Sequence, residues 1–391
     1  MHAIPESNAP AWRAVVAVTD IAAIEAEWLA LEERALVTPY QSYGWVSSFA
    51  ETVGAAHGMA LRYVLVRGDA ERLLAILPFV LTARNGIRFA EFIGGKHANY
   101  HMGVFDRDFA AALDPQATRA LLQAAADSIG GLDALIFVNQ PAEWNGSANP
   151  LACLAAGPSP SRAYRLTLTP GDADGSLRRA MSSHAHKKLK NKRNRFMSFG
   201  PSRMVRADGE AEIARILDAF LMQKARRFAA MGLPDPFADG AVRGFLRRGA
   251  TPRGYGSPAI ELYALEVNGE PVATYVGAVQ GQRFSGMATA FALDSEVAKS
   301  SPGEILLIDL IKRKCAEGVT SFDLGVGEAR YKTTICDESD ELVDSFLALT
   351  LKGRAFARFS QAKRALKRRI KASPLALGLA QRLSGLMRAA G

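Results

Sequence analysis

Apolar residues recur at helical spacing from Thr19 to Ala35 (Ile21, Ile24, Trp28, Leu31), with Asp20 near the start, which predicts an amphipathic helix. The stretch "YGWVSSFAETV" predicts a second one. The period then changes from helical to strand-like. "LRYVLVRG", "RLLAILPFVLTA" and "IRFAEFIGG", separated by short turns that include Asn85 and Gly86, read as an antiparallel meander of three strands. A helix from Pro115 to Ile129 and a buried strand "LDALIFVNQ" complete the series.

The second half has the same order. A long helix from Glu210 to Ala230 and a shorter one in "AVRGFLRRG" precede "IELYALEVNGEPVATYVGAVQGQRFSGMATAF". That run reads as three strands with turns at Asn268-Gly269 and Gln280-Gly281. Glu304 to Glu317 is the next helix and "TSFDLGVG" the strand after it. A repeat of this length points to two tandem copies of one α/β (α+β) domain, each a mixed, mainly antiparallel sheet flanked by helices. The expected division is an N-terminal domain 1–154, a basic joining segment 155–206, a C-terminal domain 207–352 and a basic tail 353–391. In each copy the strand after the crossover helix is expected to lie parallel to its neighbour, with a ligand site at the strand ends and the helix N-terminus.

Composition narrows the class. With 391 residues, 49% hydrophobic and 22% charged, the chain can bury a large core. The start "MHAIPESNAPAW" has no secretory pattern, and no run approaches the roughly 20 apolar residues of a membrane span, so a cytoplasmic protein is expected. Cys153, Cys315 and Cys336 lack the spacing of a disulfide framework or a zinc site. The net charge of +9 favours anionic partners.

Three motifs carry candidate chemistry. In "KSSPGEILLIDL", Ser301, Pro302, Gly303 and Glu304 fit an N-cap with a Ser-x-x-Glu capping box, and Lys299 adds a positive charge. Such a helix start either holds a phosphate or simply begins a helix. "FDLGVGEARYK" is neither a Walker loop nor a complete G-x-G-x-x-G, and the following "YKTTICDE" reads as non-helical. Phe322 to Val326 is therefore expected to be a buried strand and Gly327 to Lys332 its functional end, the alternative being a solvated turn. "GGKHANYHMG" crowds Lys96, His97, Asn99, Tyr100 and His101 after a glycine turn, as either a substrate or catalytic loop or a hydrogen-bonded structural one. The glycines and the lack of a neighbouring Glu argue against metal there.

Two basic stretches remain. Arg178 to Arg206 contains no acid, and Lys187, Lys190, Asn191 and Asn194 share a helical face suited to phosphates of the donor or of an activated acceptor, the alternative being a solvated helix. Without a helix-turn-helix, zinc finger or aromatic-rich sheet, DNA is not the expected partner. After Asp344 the chain again has no acid, and it mixes cations with Phe356, Phe359, Leu366 and Ile370 before turning apolar beyond Pro374. That pattern resembles an interfacial anchor for an anionic inner membrane; a basic helix packed on the second domain is the alternative.

Together "GGKHANY", "SSHAHKKLKNKRNR", "SPGEILLIDLI" and "FDLGVGEARYK" resemble the CelD-like acyltransferase group of the GNAT superfamily, over roughly Val15 to Leu351. The resemblance implies tandem GNAT-like domains, as in Fem-type aminoacyltransferases, and an acyl-CoA-type thioester as co-substrate with no tightly bound cofactor. It implies transfer to an amine or hydroxyl of a small-molecule or glycan-precursor acceptor in envelope or exopolysaccharide synthesis. The usual GNAT pyrophosphate loop is absent, and "KSSPGE" occupies its place. For such a transfer Glu328 and His97 are candidate bases and Tyr331 the candidate acid. Lys299, Ser301 and Gly303 would meet the donor, and Lys96, Asn99, Tyr100, Lys187, Lys190, Arg330 and Lys332 the substrate. An aminoacyl-tRNA donor and a non-catalytic assembly role stay open.

Overall fold

The computed structural model describes residues 12–254, 256–293 and 295–372. Strand β1 (Ala14–Val18) precedes helices α1 (Glu25–Glu32) and α2 (Tyr43–Phe49). The meander follows as β2 (Ala60–Arg67), β3 (Leu73–Arg84) and β4 (Ile87–Phe92), then α3 (Pro115–Ile129) and β5 (Ala134–Pro141). Three elements lie in the joining segment: β6 (Ala155–Thr167), α4 (Ser183–Met197) and β7 (Ser202–Arg206). The second half has α5 (Gly209–Ala230), α6 (Gly240–Ala250), β8 (Glu261–Val267), β9 (Glu270–Gln280) and β10 (Arg283–Phe291). It continues with α7 (Pro302–Ala316), β11 (Ser321–Val326), α8 (Arg330–Ile335), β12 (Glu338–Ala348) and α9 (Leu351–Ala372).

The expected Asn-Gly turns form. Asn85-Gly86 and Asn268-Gly269 all take positive φ, the geometry whose twist matches the flanking strands. Both expected parallel pairs form as well: β4 with β5, and β10 with β11.

The strands join one sheet in the order β1-β2-β3-β4-β5-β12-β6-β11-β10-β9-β8-β7, with Ala35–Leu36 and Val104–Asp106 off this path. At its centre the chain crosses over. β6, which follows the first half, pairs with β11 of the second, while β12, which follows the second half, pairs with β5 of the first. β6 and β12 then pair with each other. Neither strand is expected from the sequence pattern. In β6 the Gly157-Pro158-Ser159-Pro160 run looks like a linker, and the register shifts between Pro158 and Arg162 are where the ladder bends around it. In β12 four of the first seven residues are acidic, which hides its apolar face.

The core crosses the same boundary. Phe245 of α6 packs edge-on against Trp45 of α2 and Phe49, with ring centroids 4.9 and 5.5 Å away. The other face of the second-half sheet is covered by α7, whose Ile305, Leu306, Leu310 and Ile311 are fully buried. No helix among the described residues is long and apolar enough to cross a membrane.

His101 is buried inside the first half. Its Nδ1–H donates to the Val138 carbonyl at 3.0 Å, and its Nε2 has no partner among the described residues. Burial pushes its pKa down from 6.5 to about 4. The folded state therefore resists a proton that the unfolded chain accepts, so this contribution is present above pH 6.5 and is lost as pH falls toward 4. Between pH 7 and pH 5 the loss amounts to about 2 kcal/mol. We expect His101→Asn to remove that difference in urea unfolding; identical pH dependence in both proteins would contradict it.

Candidate active site

The parallel strands β10 and β11 are paired only from Arg283 to Ser285 and from Ser321 to Asp323, and beyond these residues the ladder stops. Glycines stand where it stops: Gly286 on one strand and Gly325, at φ +74°, on the other. The Asp323 carboxylate, fully buried, accepts hydrogen bonds from the Tyr100 hydroxyl (2.8 Å), the Ser285 hydroxyl (3.1 Å) and the Gly325 N–H (2.7 Å). The Arg283 guanidinium is 3.3 Å away. Asn99 donates to the Tyr40 hydroxyl (2.7 Å) and to the Gly286 carbonyl (2.9 Å). Two of the residues expected to bind substrate, Asn99 and Tyr100, thus reach from the first half to the place where the second-half strands part.

The start of α7 lies at the C-terminal end of β10. Ser301 ends a 3-10 turn, Glu296–Ser300, in a left-handed conformation at φ 57°, and its side chain makes no cap. The expected capping box does not form. Instead the Ser301 carbonyl accepts from the N–H groups of Glu304 and Ile305, and Glu304 pairs with Lys192 of α4. Lys299 pairs with Glu296 at 2.7 Å. A side chain at Gly303 would begin 3.4 Å from the Phe291 ring. On α4 the inner residues Leu189 and Phe196 are buried and Arg193 pairs with Asp309, which leaves Lys187 and Lys190 exposed on the outer face.

After β11 the chain turns through Gly327 into α8, so "YKTTI" is a short helix where the sequence pattern read as non-helical. The Lys332 ammonium is buried and donates to the carbonyls of Gly325 (2.9 Å) and Val326 (3.1 Å). Burial lowers its pKa, against the pull of Asp323. Glu328 accepts from the Arg162 N–H (3.1 Å) and the Ser161 hydroxyl (3.3 Å), with Lys371 of α9 at 3.5 Å. Burial pushes its carboxyl up, but the backbone donors and Lys371 hold it below the usual range. Arg330 is exposed, and Tyr331 is 37% exposed. The Tyr331 phenol is raised by burial and by Cys336, and the Arg227 charge pulls it back down. In the first-half loop Lys96 is exposed, while His97 stands among Phe49, Phe237 and Phe245 with centroids 6.2 to 6.5 Å apart. Burial, aided by Lys96, lowers His97 to about 4, so it is neutral at pH 7.

Helix α5 links these groups through two cations that sequence reasoning missed. Arg227 lies over the Phe291 ring at 5.7 Å. One turn earlier Lys224 lies over Phe237 (5.2 Å), Phe220 (5.6 Å) and Phe228 (5.9 Å). Burial, with the nearby Arg227 charge, lowers Lys224 to about 8. Neither forms an ion pair among the described residues. The helix therefore connects Gly303 and Tyr331, through Phe291 and Arg227, with His97, through Phe237 and Lys224. Glu328 has a different set of neighbours. The available signal was "QKARRF": cations three apart with no acid at helical neighbours.

Residues 183–333, from α4 into α8, match the acetyltransferase (GNAT) domain. The solved structures show the fold. FemX is 12% identical, with 89% of this chain and 100% of that chain covered at a TM-score of 0.59. The C-terminal domain (DUF2156) of a putative lysylphosphatidylglycerol synthetase from Agrobacterium fabrum is 10% identical, with coverages of 87% and 95% and a TM-score of 0.53. L-PGS from Bacillus licheniformis is 12% identical, with coverages of 88% and 97% and a TM-score of 0.50. No curated protein matches the chain. The domain match supports an acyltransferase.

At Gly325 a Cβ would stand 2.5 Å from Asn99 Nδ2, on a backbone that L residues rarely adopt. We expect Gly325→Ala to cost about 2–3 kcal/mol in urea unfolding, of which about 1–2 kcal/mol is left-handed strain. Against an Asn99→Ala background the cost should fall to the strain and the 3.0 Å approach to the Gly286 carbonyl oxygen. Equal costs in both backgrounds would mean that Asn99 does not fill this gap.

Proposed function

We propose that the protein moves an acyl group from an acyl-CoA-type thioester to an amine or hydroxyl of a small-molecule or glycan-precursor acceptor. The observation that carries this reading is the match over residues 183–333, the segment that holds α5, the parting strands β10 and β11, and the start of α7. The acceptor attacks the thioester carbonyl, loses a proton and expels the thiolate. His97, neutral at pH 7, has a free acceptor role for that proton. Glu328 is the second candidate base, though its oxygens already accept from Ser161 and Arg162. Tyr331 keeps its proton at neutral pH and can give it to the thiolate. Gly303 and Arg227 flank the Phe291 ring on the donor side, with Lys299 and Ser301 beyond. Lys96, Arg330 and Lys332 belong to the acceptor side in this reading.

The resemblance to the CelD-like group favours an acceptor from envelope or exopolysaccharide synthesis and a place at the cytoplasmic face of an anionic membrane. Helix α9 supports the second point. Its inner face is fixed by Arg364 to Asp344 and by Arg368 to the Pro158 carbonyl (2.8 Å). Its outer face presents Arg358, Lys363 and Arg369 beside Phe359 and Leu366, which are 67% and 59% exposed. The apolar stretch beyond Pro374 lies outside the described residues. The exposed lysines of α4, Lys187 and Lys190, favour a second reading in which the donor is an aminoacyl-tRNA.

Thiol release from acetyl-CoA and a long-chain acyl-CoA over a panel of amines tests the first reading. We expect Tyr331→Phe to lower kcat about 100-fold with little change in KM. Arg227→Ala is expected chiefly to raise the donor KM. Wild-type turnover in both variants, or no binding of either thioester, would overturn the assignment.

A further inference from the structure

A cavity of about 880 Å³ opens on the seam between the halves, at the end of the sheet where β10 and β11 begin. β10 runs nine residues from there to Phe291, so the cavity stands on the order of 25 Å from the proposed thioester site. Arg107, Glu143 and Asn145 of the first half line it, facing Gln282, Arg283 and Ser321 of the second.

Its chemistry excludes several ligand classes. Three arginines (107, 165 and 283) are balanced by Glu143, Asp340 and Glu341, so the wall has no net charge. Two of the arginines are already engaged, Arg283 with Asp323 at 3.3 Å and Arg165 with Asp340 at 3.0 Å. A phosphate or polyanion gains no net attraction there. No aromatic ring lines the wall, so a nucleobase finds no face to stack on, and Pro141, Ala142 and Leu168, its only apolar side chains, stand among polar neighbours and form no continuous apolar channel for an acyl chain.

What the wall offers is unused hydrogen-bonding capacity. Arg107 makes one long bond, 3.5 Å to the Ser147 hydroxyl, and the Ser321 hydroxyl oxygen is buried without a partner among the described residues. The side chains of Glu143, Asn145 and Gln282 likewise make no hydrogen bond among the described residues. Planar guanidinium, carboxylate and amide groups present adjacent donors or acceptors, and vicinal hydroxyls, which donate and accept together, match them.

We propose that this cavity binds a neutral saccharide, at a second site separate from acyl transfer. Arg107 and Glu143 are exposed, so replacing them leaves the core intact. The test is calorimetry on the full chain with glucose, N-acetylglucosamine and cellobiose, with inorganic phosphate as the charged control. Tryptophan emission gives a second readout, because Arg283 lies 3.8 Å over the Trp144 ring between two lining residues. We expect at least one sugar to bind at millimolar concentration or below, and an Arg107→Ala/Glu143→Ala double variant with unchanged circular dichroism to bind it at least tenfold more weakly. No sugar binding at millimolar concentration, phosphate binding in its place, or full affinity in the double variant would overturn the proposal. No thioester enters the measurement, so its failure is distinct from failure of the acyl-transfer reading.

Discussion

The arrangement of this protein depends on one buried carboxylate. Asp323 is removed from water at a cost of several kcal/mol, and it is retained because three hydrogen bonds and the Arg283 guanidinium surround it. Those partners come from both halves. Tyr100 is a first-half residue, while Ser285, Gly325 and Arg283 belong to the parting strands of the second. Arg283 in turn lies against Trp144, another first-half side chain. The same knot therefore holds the halves together and sets the point at which β10 and β11 separate.

The crossed strands make the same junction in the backbone. β6 and β12 each close the sheet of the opposite half, so neither half has a complete sheet from its own contiguous chain. The aromatic contact of Phe245 with Trp45 and Phe49 adds an apolar seam on one face. Candidate chemistry gathers along these seams because loops from one half meet strand ends of the other. Thus His97 meets Phe237, and Asn99 meets the Gly286 carbonyl.

Local pattern made much of this legible. The meanders, the crossover helices and both parallel pairs follow from period changes and Asn-Gly turns, which are short-range signals. β6 and β12 were hidden because their stability comes from pairing with distant partners, and Pro158, Pro160 and the acids of β12 argue against strands locally. The loop "GGKHANYHMG" was recognisable as a polar cluster, yet its residues separate: Tyr100 enters the Asp323 knot, His101 is buried against Val138, and His97 faces the second half. The Ser301 capping box failed because the preceding 3-10 turn delivers the residue left-handed, and Lys192, remote in sequence, takes Glu304. Lys224 and Arg227 do not stand out in the sequence because a helical cation is ordinarily a solvated one. Their surroundings of phenyl rings are tertiary.

The central claim is that a first-half loop and second-half strand ends line one site for acyl transfer, with the donor at the strand ends and the loop closing over it. Amide hydrogen exchange with and without saturating acetyl-CoA tests it most directly. The account predicts slowed exchange at residues 303–305 and 325–331 together with residues 94–101 of the first-half loop. Protection that leaves all of these unchanged, or that falls only on the central strands β6 and β12, would contradict it.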